Sequence, residues 1–150
     1  YFHHAHLGHL LKSRAAMNRI FDNQLVDGDD GKASYELEFP NGGIAHVVGN
    51  VIAQSQGTDN PHLISFGAEG YKWPRNEIHL ENNTLINPLP KGGVFLRVMP
   101  GADRIRAINN RLVGNGNLEA AGVGEYAKNI MDDAKHNPGK AWQSPPPNPN

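Results

Sequence analysis

One pattern occurs four times in the sequence, as IFDNQLV (20–26), VVGNVIA (47–53), LENNTLI (80–86) and AINNRLV (107–113). In each copy an aliphatic residue lies three positions before an asparagine and another lies two positions after it; the asparagines are Asn23, Asn50, Asn83 and Asn110, spaced by 27, 33 and 27 residues. Periods of this length are typical of stacked repeats, because one unit cannot bury its apolar face until a neighbour covers it. The pattern therefore predicts a corner of a coil, with one column formed by Leu25, Ile52, Leu85 and Leu112.

Segments of alternating character lie between the copies, namely YELEF (35–39), HLISF (62–66) and VFLRV (94–98). Period-two alternation with aromatic and β-branched residues is typical of strands. Glycine, proline and Asx residues, which favour turns, separate the two kinds of segment at 27–31, 40–43, 56–61, 87–93 and 100–103. Each period is thus predicted to contain two strands and two turns, with no helical crossover.

These features predict an all-β fold, a right-handed parallel β-helix (a solenoid) of about four to five coils over residues 1–126. At the bends the asparagines are expected to adopt the left-handed conformation and to pass amide hydrogen bonds between coils. The alternative is a β-sandwich in which the asparagines mark ordinary loops. Residues 127–150 are predicted to form a C-terminal cap, with a short helix over 126–135, and a Pro-rich tail.

Composition excludes several classes of function. The 14 basic and 15 acidic residues are interspersed and give a formal net charge of −1, which argues against a nucleic-acid partner. No apolar run approaches the length of a membrane span. Disulfides and thiolate metal sites are absent because the chain has no cysteine. Because the sequence starts in a strand-like segment and without a methionine, we expect further residues upstream of Tyr1. We also expect the open end of the solenoid to be covered by another coil, by a partner subunit, or by both.

Four histidines crowd the start of the chain, at His3, His4, His6 and His9. Imidazole is a common ligand of zinc and copper, but an extended strand would place His4 and His6 on one face and His3 and His9 on the other. A metal site, a substrate-facing histidine and stacked or solvated side chains all remain open. His9 is the member closest in sequence to Lys12.

Residues 8–52 resemble a known family. The text KSRAAMNRIFDN (12–23), followed by LEFPNGGIAHVVGNVI (37–52), resembles the two adjacent coils that carry the active site in the chondroitinase B and alginate lyase family. That family belongs to the pectate-lyase-like superfamily of right-handed parallel β-helix enzymes. Its Lys-Ser pair matches Lys12 and Ser13, after an insertion of about two residues, and its Gly-Asn bend matches Gly49 and Asn50.

The resemblance implies a chemistry for Lys12. The family uses this lysine to take the proton α to a uronate carboxyl group, while calcium or an arginine neutralises the carboxylate. Pro40 stands at the position of the family's arginine and Asn41 at that of its histidine, which removes electrostatic support for the developing enolate. Lys12, His9 and Arg14 are the catalytic candidates, and Asn41 is a substrate-binding candidate.

Strand alternation predicts a polar strip on one face of the sheet, with Glu36 and Glu38 both facing outward. Its members are Lys12, Arg14, Glu36, Glu38, Ser65 and Arg97. Such a strip suits a hydroxyl-rich polymer, but it is also what an ordinary solvated face looks like, with Lys12 extended into water.

Two further segments are candidate sites. Asp27, Asp29 and Asp30 could hold calcium through hard oxygen ligands, although their glycines also suit a tight turn. The longer excursion SFGAEGYKWPRNE (65–77) accounts for the 33-residue period, and insertions in solenoids project from one face. Its Tyr71, Trp73 and Arg75 could bind sugars, or the aromatic residues could fold down over the coil.

Three functions follow as hypotheses. The first is a secreted, periplasmic or cell-surface module that binds an acidic polysaccharide, as a weakened relative of the lyases. The second is an active polysaccharide lyase with Lys12 as the base. The third is a structural solenoid that self-associates through its exposed ends, because open parallel edges invite strand addition.

Overall fold

The computed structural model describes residues 1–118 and 121–132, which form mainly strands and turns. The strands are β1 (His9–Lys12), β2 (Met17–Phe21), β3 (Gln24–Val26), β4 (Tyr35–Phe39), β5 (Ile44–Val48), β6 (Val51–Ala53), β7 (His62–Phe66), β8 (Glu77–Glu81), β9 (Thr84–Asn87), β10 (Val94–Val98), β11 (Arg104–Ile108), β12 (Arg111–Gly114), β13 (Glu125–Ala127) and β14 (Ile130–Asp132). Within these residues there is no helix of the length and apolarity needed to cross a membrane.

Three parallel sheets run side by side along the molecule. Sheet A has the order β1-β4-β7-β10, sheet B the order β2-β5-β8-β11-β13 and sheet C the order β3-β6-β9-β12-β14. The chain therefore visits the three sheets in turn and returns to each one beside its previous strand, which is the arrangement of a parallel β-solenoid. Each full repeat has three strands, where two were predicted. The asparagine pattern spans two short strands, and three-residue strands such as β3 are too short to show an alternation.

The predicted aliphatic column is confirmed. Leu25 pairs with Ile52, Ile52 with Leu85 and Leu85 with Leu112, and each of these side chains is at most 1% exposed. The column continues to Met131 in β14. Like residues therefore lie above one another through sheet C, and this stacking buries apolar surface that no single repeat could bury alone.

The asparagines form a hydrogen-bonded ladder beside this column. The side-chain amide of Asn50 donates to Asn83 Oδ1, Asn83 donates to Asn110 and Asn110 donates to Asn129, each at 3.0 Å. Asn50 Oδ1 also accepts a bond from the backbone N–H of Asn23 at 2.8 Å. The predicted coil-to-coil amide bonds are thus confirmed. Asn129 was not predicted, because only 19 residues separate it from Asn110 and a tyrosine replaces the aliphatic residue before it.

The prediction that these asparagines are themselves left-handed was wrong. The positive φ belongs to the preceding residue in each copy: Asp22 (53°), Gly49 (71°), Asn82 (56°), Asn109 (56°) and Lys128 (56°). The chain therefore bends at the residue before each ladder asparagine. The side chains of Asn50, Asn83 and Asn110 then point toward the equivalent asparagine of the next coil and form the hydrogen bonds of the ladder. Aspartate, asparagine and glycine are the residues that tolerate this conformation best.

The helix predicted over 126–135 was also wrong for the residues described. β13 pairs with β11 and β14 pairs with β12, so residues 125–127 and 130–132 extend two sheets. Tertiary pairing outweighs the weak local helical preference here. Residues 133–135, the remainder of the predicted cap and the Pro-rich tail lie outside the described residues.

Candidate functional site

Two rows of polar and aromatic side chains run across sheet A. The strand register places Lys12 beside Glu38, Glu38 beside Ser65 and Ser65 beside Arg97, and we call these four residues the charged row. The second, the ring row, consists of His9, Tyr35 and His62. The rings of His9 and Tyr35 are stacked with centroids 5.5 Å apart, and those of Tyr35 and His62 are 6.4 Å apart.

The two rows share one side of the sheet. His9 Nε2 lies 2.9 Å from Glu38 Oε2, and Arg97 Nη1 donates to the Tyr35 hydroxyl at 3.4 Å. Residues three apart in a regular strand point to opposite faces, so these contacts require a departure from the regular pleat. The register agrees, because in sheet A it omits one of the two positions between the rows, Glu36 in β4, while the other, Leu37, is paired on both sides.

This departure makes the prediction for Glu36 wrong. Glu36 does not face outward with Glu38 but is 1% exposed, and its carboxyl oxygens have no hydrogen-bond partner in the described part of the chain. Burial, followed by the nearby charge of Asp27, raises the pKa of Glu36 to about 9. Glu36 is therefore a neutral acid near pH 7 and does not belong to the surface site.

An ion cluster closes the N-terminal end of the charged row. Lys12 Nζ lies 2.9 Å from both Glu38 Oε2 and Glu69 Oε1, and Arg14 Nη2 lies 2.8 Å from Glu69 Oε1. Glu69, which sequence reasoning missed, comes from the excursion after β7, 57 residues from Lys12. No local motif indicates such a contact, since it depends on how far the loop folds back across sheet A.

The cluster keeps Lys12 charged. Its hydrogen bonds to Glu38 and Glu69 raise the pKa of Lys12, and the Arg14 hydrogen bonds lower the pKa of Glu69. Because a protonated lysine has no free electron pair, this arrangement favours an electrostatic role for Lys12 over that of a base. Desolvation instead lowers the pKa of His9, which favours a neutral imidazole.

The other end of the charged row has a different environment. Arg97 is half-buried and has no carboxylate within ion-pair distance among the residues described. Ser65 beside it is 0% exposed, and its hydroxyl has no hydrogen-bond partner there. His62 completes this end; burial, followed by the charge of Arg97, lowers its pKa.

The excursion over 65–77 lies partly on the core. Tyr71 donates its hydroxyl to the Met99 carbonyl oxygen at 2.6 Å and packs 5.7 Å from the Phe66 ring, and burial raises the pKa of Tyr71 to about 12. Asn41 donates to the Gly70 carbonyl oxygen at 3.2 Å. Tyr71 and Asn41 thus hold the loop down, which matches the alternative in which the aromatic residues cover the coil.

Two residues of the excursion remain at the surface. Trp73 is 37% exposed, and the Arg75 side chain donates to Glu77 Oε1 at 2.5 Å. Neither contacts the charged row or the ring row through a hydrogen bond or an ion pair that the structure records. Their predicted role in binding stays a prediction.

The three aspartates do not converge. Asp27 is 0% exposed, and its carboxylate accepts hydrogen bonds from the backbone N–H groups of Ala5 at 2.8 Å and Ala33 at 2.7 Å. Asp29 and Asp30 are exposed. Asp27 therefore ties the turn to neighbouring backbone, as the alternative of a tight turn expects.

The four N-terminal histidines are likewise divided. His3 and His4 contact each other, with their Nδ1 atoms 2.6 Å apart, whereas His9 belongs to the ring row and His6 is exposed. Across residues 1–118 and 121–132, no group of three or more histidine, aspartate or glutamate side chains is arranged to hold a metal ion. The candidate site is thus a surface of rings and charges.

Comparison with known proteins adds no relative. No protein-family model, no curated protein and no solved structure matches the chain. The fold and the site geometry are therefore the basis for a proposal about function.

Proposed function

We propose that this chain is a pectate-lyase-like, right-handed β-helix protein of the cell exterior that binds an acidic polysaccharide along the outer side of sheet A. The observation that carries the proposal is the pair of in-register rows on one surface. Each coil contributes a polar group to the charged row, and three coils contribute a ring to the ring row. A linear polymer that lies across the strands of sheet A can therefore contact a polar side chain and a ring on successive strands.

The chemistry of the two rows suits sugars. Ring faces pack against the apolar C–H faces of pyranose units, while charged side chains bond hydroxyl and carboxylate groups. The rows are also packed, since the side chain of Glu38 is 4% exposed and that of Lys12 is 26% exposed. A merely solvated face would leave such charges in water, so this packing favours a built site.

The proposal is tested by titrating the protein with alginate, pectin and chondroitin in a calorimeter. Tyr35→Ala removes the middle ring and its hydroxyl and is expected to lower affinity about 2- to 10-fold, taking an aromatic contact as worth about 0.5–1.5 kcal/mol. His46→Ala is the matched control, because His46 belongs to a stacked ring pair on sheet B, 4.7 Å from His79. If the parent protein binds none of the three polymers, the proposal is wrong.

One observation favours a second candidate, β-elimination on a uronate polymer. His9 Nε2 lies 2.9 Å from Glu38 Oε2, which favours the tautomer that carries its proton on Nε2, and a neutral His9 of this tautomer has Nδ1 as a proton acceptor beside the charged Lys12. In such a reaction His9 takes the proton α to the carboxyl group, Lys12 neutralises the enolate, and the glycosidic C–O bond breaks as the new C=C bond forms. The protonated His9 then gives its proton to the leaving oxygen, directly or through water, which restores the neutral imidazole.

This candidate is tested by ultraviolet absorbance of unsaturated uronate products, with and without calcium. We expect His9→Gln to abolish the product and Lys12→Gln to lower its rate about 10²- to 10³-fold, the usual effect of removing one electrostatic stabiliser. Absence of product from all three polymers would remove elimination while leaving binding intact.

A further inference from the structure

We infer that Arg97, Ser65 and Tyr35 form a subsite for the carboxylate of a uronate unit, and this inference rests on the proposed function. It names both the acidic ligand group and the part of sheet A that recognises it. The subsite lies at the C-terminal end of the charged row, away from the ion cluster at Lys12.

The first argument is the charge balance along the row. Lys12 and Arg14 are paired with the protein's own Glu38 and Glu69, so two cations meet two carboxylates. An incoming anion would have to displace one of these carboxylates. An anion can bind Arg97 without displacing a carboxylate of the protein, because in the described part of the chain Arg97 has no acidic partner.

The second argument is the contrast with other arginines. Arg14, Arg75, Arg106 and Arg111 each have a carboxylate partner within ion-pair distance. Arg19 and Arg104 have no such partner among the described residues, but both are exposed to solvent. Arg97 is half-buried, and its recorded bond is a long one of 3.4 Å to the Tyr35 hydroxyl. A guanidinium presents a planar fork of donors that matches a carboxylate, and Arg97 retains most of this capacity.

The third argument is independent and comes from Ser65. Its hydroxyl is fully buried and without a partner among the residues described, although buried hydroxyl groups are normally hydrogen-bonded. In-register residues of parallel strands point to the same side, so Ser65 lies between Glu38 and Arg97 within the charged row. A carboxylate held by Arg97 would give this hydroxyl an acceptor.

The groups around the subsite suit an anion. The Tyr35 hydroxyl, already 3.4 Å from Arg97, adds a donor. The Nδ1 atom of His62 lies 2.9 Å from Asn60 Oδ1, and this contact orients the His62 ring beside Tyr35. The nearest acidic member of the row, Glu38, is held by His9 and Lys12, which offsets its repulsion of a second carboxylate.

The test uses two probes, a tetramer of galacturonate and its carboxyl-reduced, neutral counterpart, each titrated calorimetrically into the full chain. Arg97→Gln is expected to weaken binding of the acidic tetramer about 10- to 100-fold and to leave the neutral tetramer nearly unchanged, because only the carboxylate loses a charged partner. Arg111→Gln is the matched control, since Arg111 is an exposed arginine in β12 of sheet C.

Ser65→Ala provides a second variant that does not depend on how well Arg97→Gln folds. Removing a buried hydroxyl that has no partner should leave the melting temperature unchanged or raise it, while affinity for the acidic tetramer falls about 5-fold. The opposite directions of the two effects separate a ligand-binding role from a structural one.

The outcomes distinguish the subsite from the proposed function. If the parent protein binds the acidic tetramer and both variants bind it equally well, the subsite is wrong and the proposed function stands. Equal losses for the acidic and neutral tetramers would also overturn the subsite, because Arg97 would then only shape the sheet. If the parent protein binds neither tetramer nor any of the polymers, the proposed function fails and the subsite fails with it.

Discussion

At the scale of single residues, burial decides which acids are functional. Glu36 and Glu38 are two positions apart, yet Glu38 ion-pairs with Lys12 while Glu36 has no hydrogen-bond partner among the described residues. A carboxyl group in this position is tolerated in its neutral form, because the charged form would lose its hydration without compensation.

Glu36 therefore predicts a pH dependence of stability. Its pKa rises from 4.5 to about 9 on folding, so the folded state binds the proton more tightly. This contribution is fully present below about pH 4.5 and is lost as the pH rises toward about 9. We expect the melting temperature of the parent protein to fall relative to that of Glu36→Gln between about pH 5 and pH 9. A constant difference between the two proteins would show that Glu36 does not titrate in this way.

The ladder asparagines make a second prediction at this scale. Asn83 is 1% exposed, accepts the Asn50 backbone N–H at 2.9 Å and donates to the Val47 carbonyl oxygen at 2.9 Å. Asn83→Ala leaves both groups unpaired and should cost at least about 2 kcal/mol in the free energy of unfolding, measured by urea titration. Asn82→Gly is the control and should cost less than about 1 kcal/mol, because glycine suits its φ of 56°.

At the scale of elements, the excursion between β7 and β8 acts as a clasp. Tyr71 and Asn41 hold it against the coil, and Glu69 reaches back to the ion cluster. The same loop therefore covers part of the core and, through Glu69, forms ion pairs with Lys12 and Arg14. An acidic ligand would have to compete with Glu69 for these two cations.

Glu69→Gln should consequently increase affinity for an acidic polysaccharide. The substitution removes the carboxylate that competes for Lys12 and Arg14, and because exposed ion pairs of this kind are weakened by solvent, a gain of only about 2- to 5-fold is expected in calorimetry. Tyr71→Phe, which loosens the loop but keeps Glu69, is the control and should show no such gain. A decrease in affinity for Glu69→Gln would mean that Glu69 itself contacts the sugar.

At the scale of the whole molecule, the solenoid has open edges at β1 and β2, each of which is the last strand of its sheet. The edge of β3 is covered by Phe2, which forms a parallel bridge with Leu25. Apolar side chains are exposed near this end: Tyr1 is 60% exposed, Leu7 91%, Met17 51% and Phe21 48%. Unpaired parallel edges with apolar side chains favour strand addition.

We expect concentration-dependent assembly through this end, measured by sedimentation velocity. Phe21→Glu should shift the protein toward the monomer, because it places a charge at the edge strand β2. Val123→Glu, at a fully exposed residue in the loop before β13, is the matched control and should leave assembly at this end unchanged. A monomer at all concentrations would contradict self-association through the open strand edges.

Prediction succeeded where one repeat resembles the next. The pattern around Asn23, Asn50, Asn83 and Asn110 predicted both the ladder and the column, because each copy of the pattern forms the same corner of its coil and the extra residues of the 33-residue period lie in a loop. It failed where a repeat departs from the pattern, as at Asn129, or where the pleat is irregular, as at Glu36. Period-two alternation assumes a regular strand, so it could not reveal that His9 and Lys12 share one side of sheet A.

The sequence by itself determined the stacked parallel β architecture and the aliphatic column, because these follow from periodicity. Only the tertiary structure decided that Glu69 closes on Lys12 and Arg14, that Glu36 is buried, and that Arg97 stays without an acidic partner in the described part of the chain. Those outcomes depend on contacts between coils and on the path of one loop, where residues far apart in sequence compete for the same neighbours.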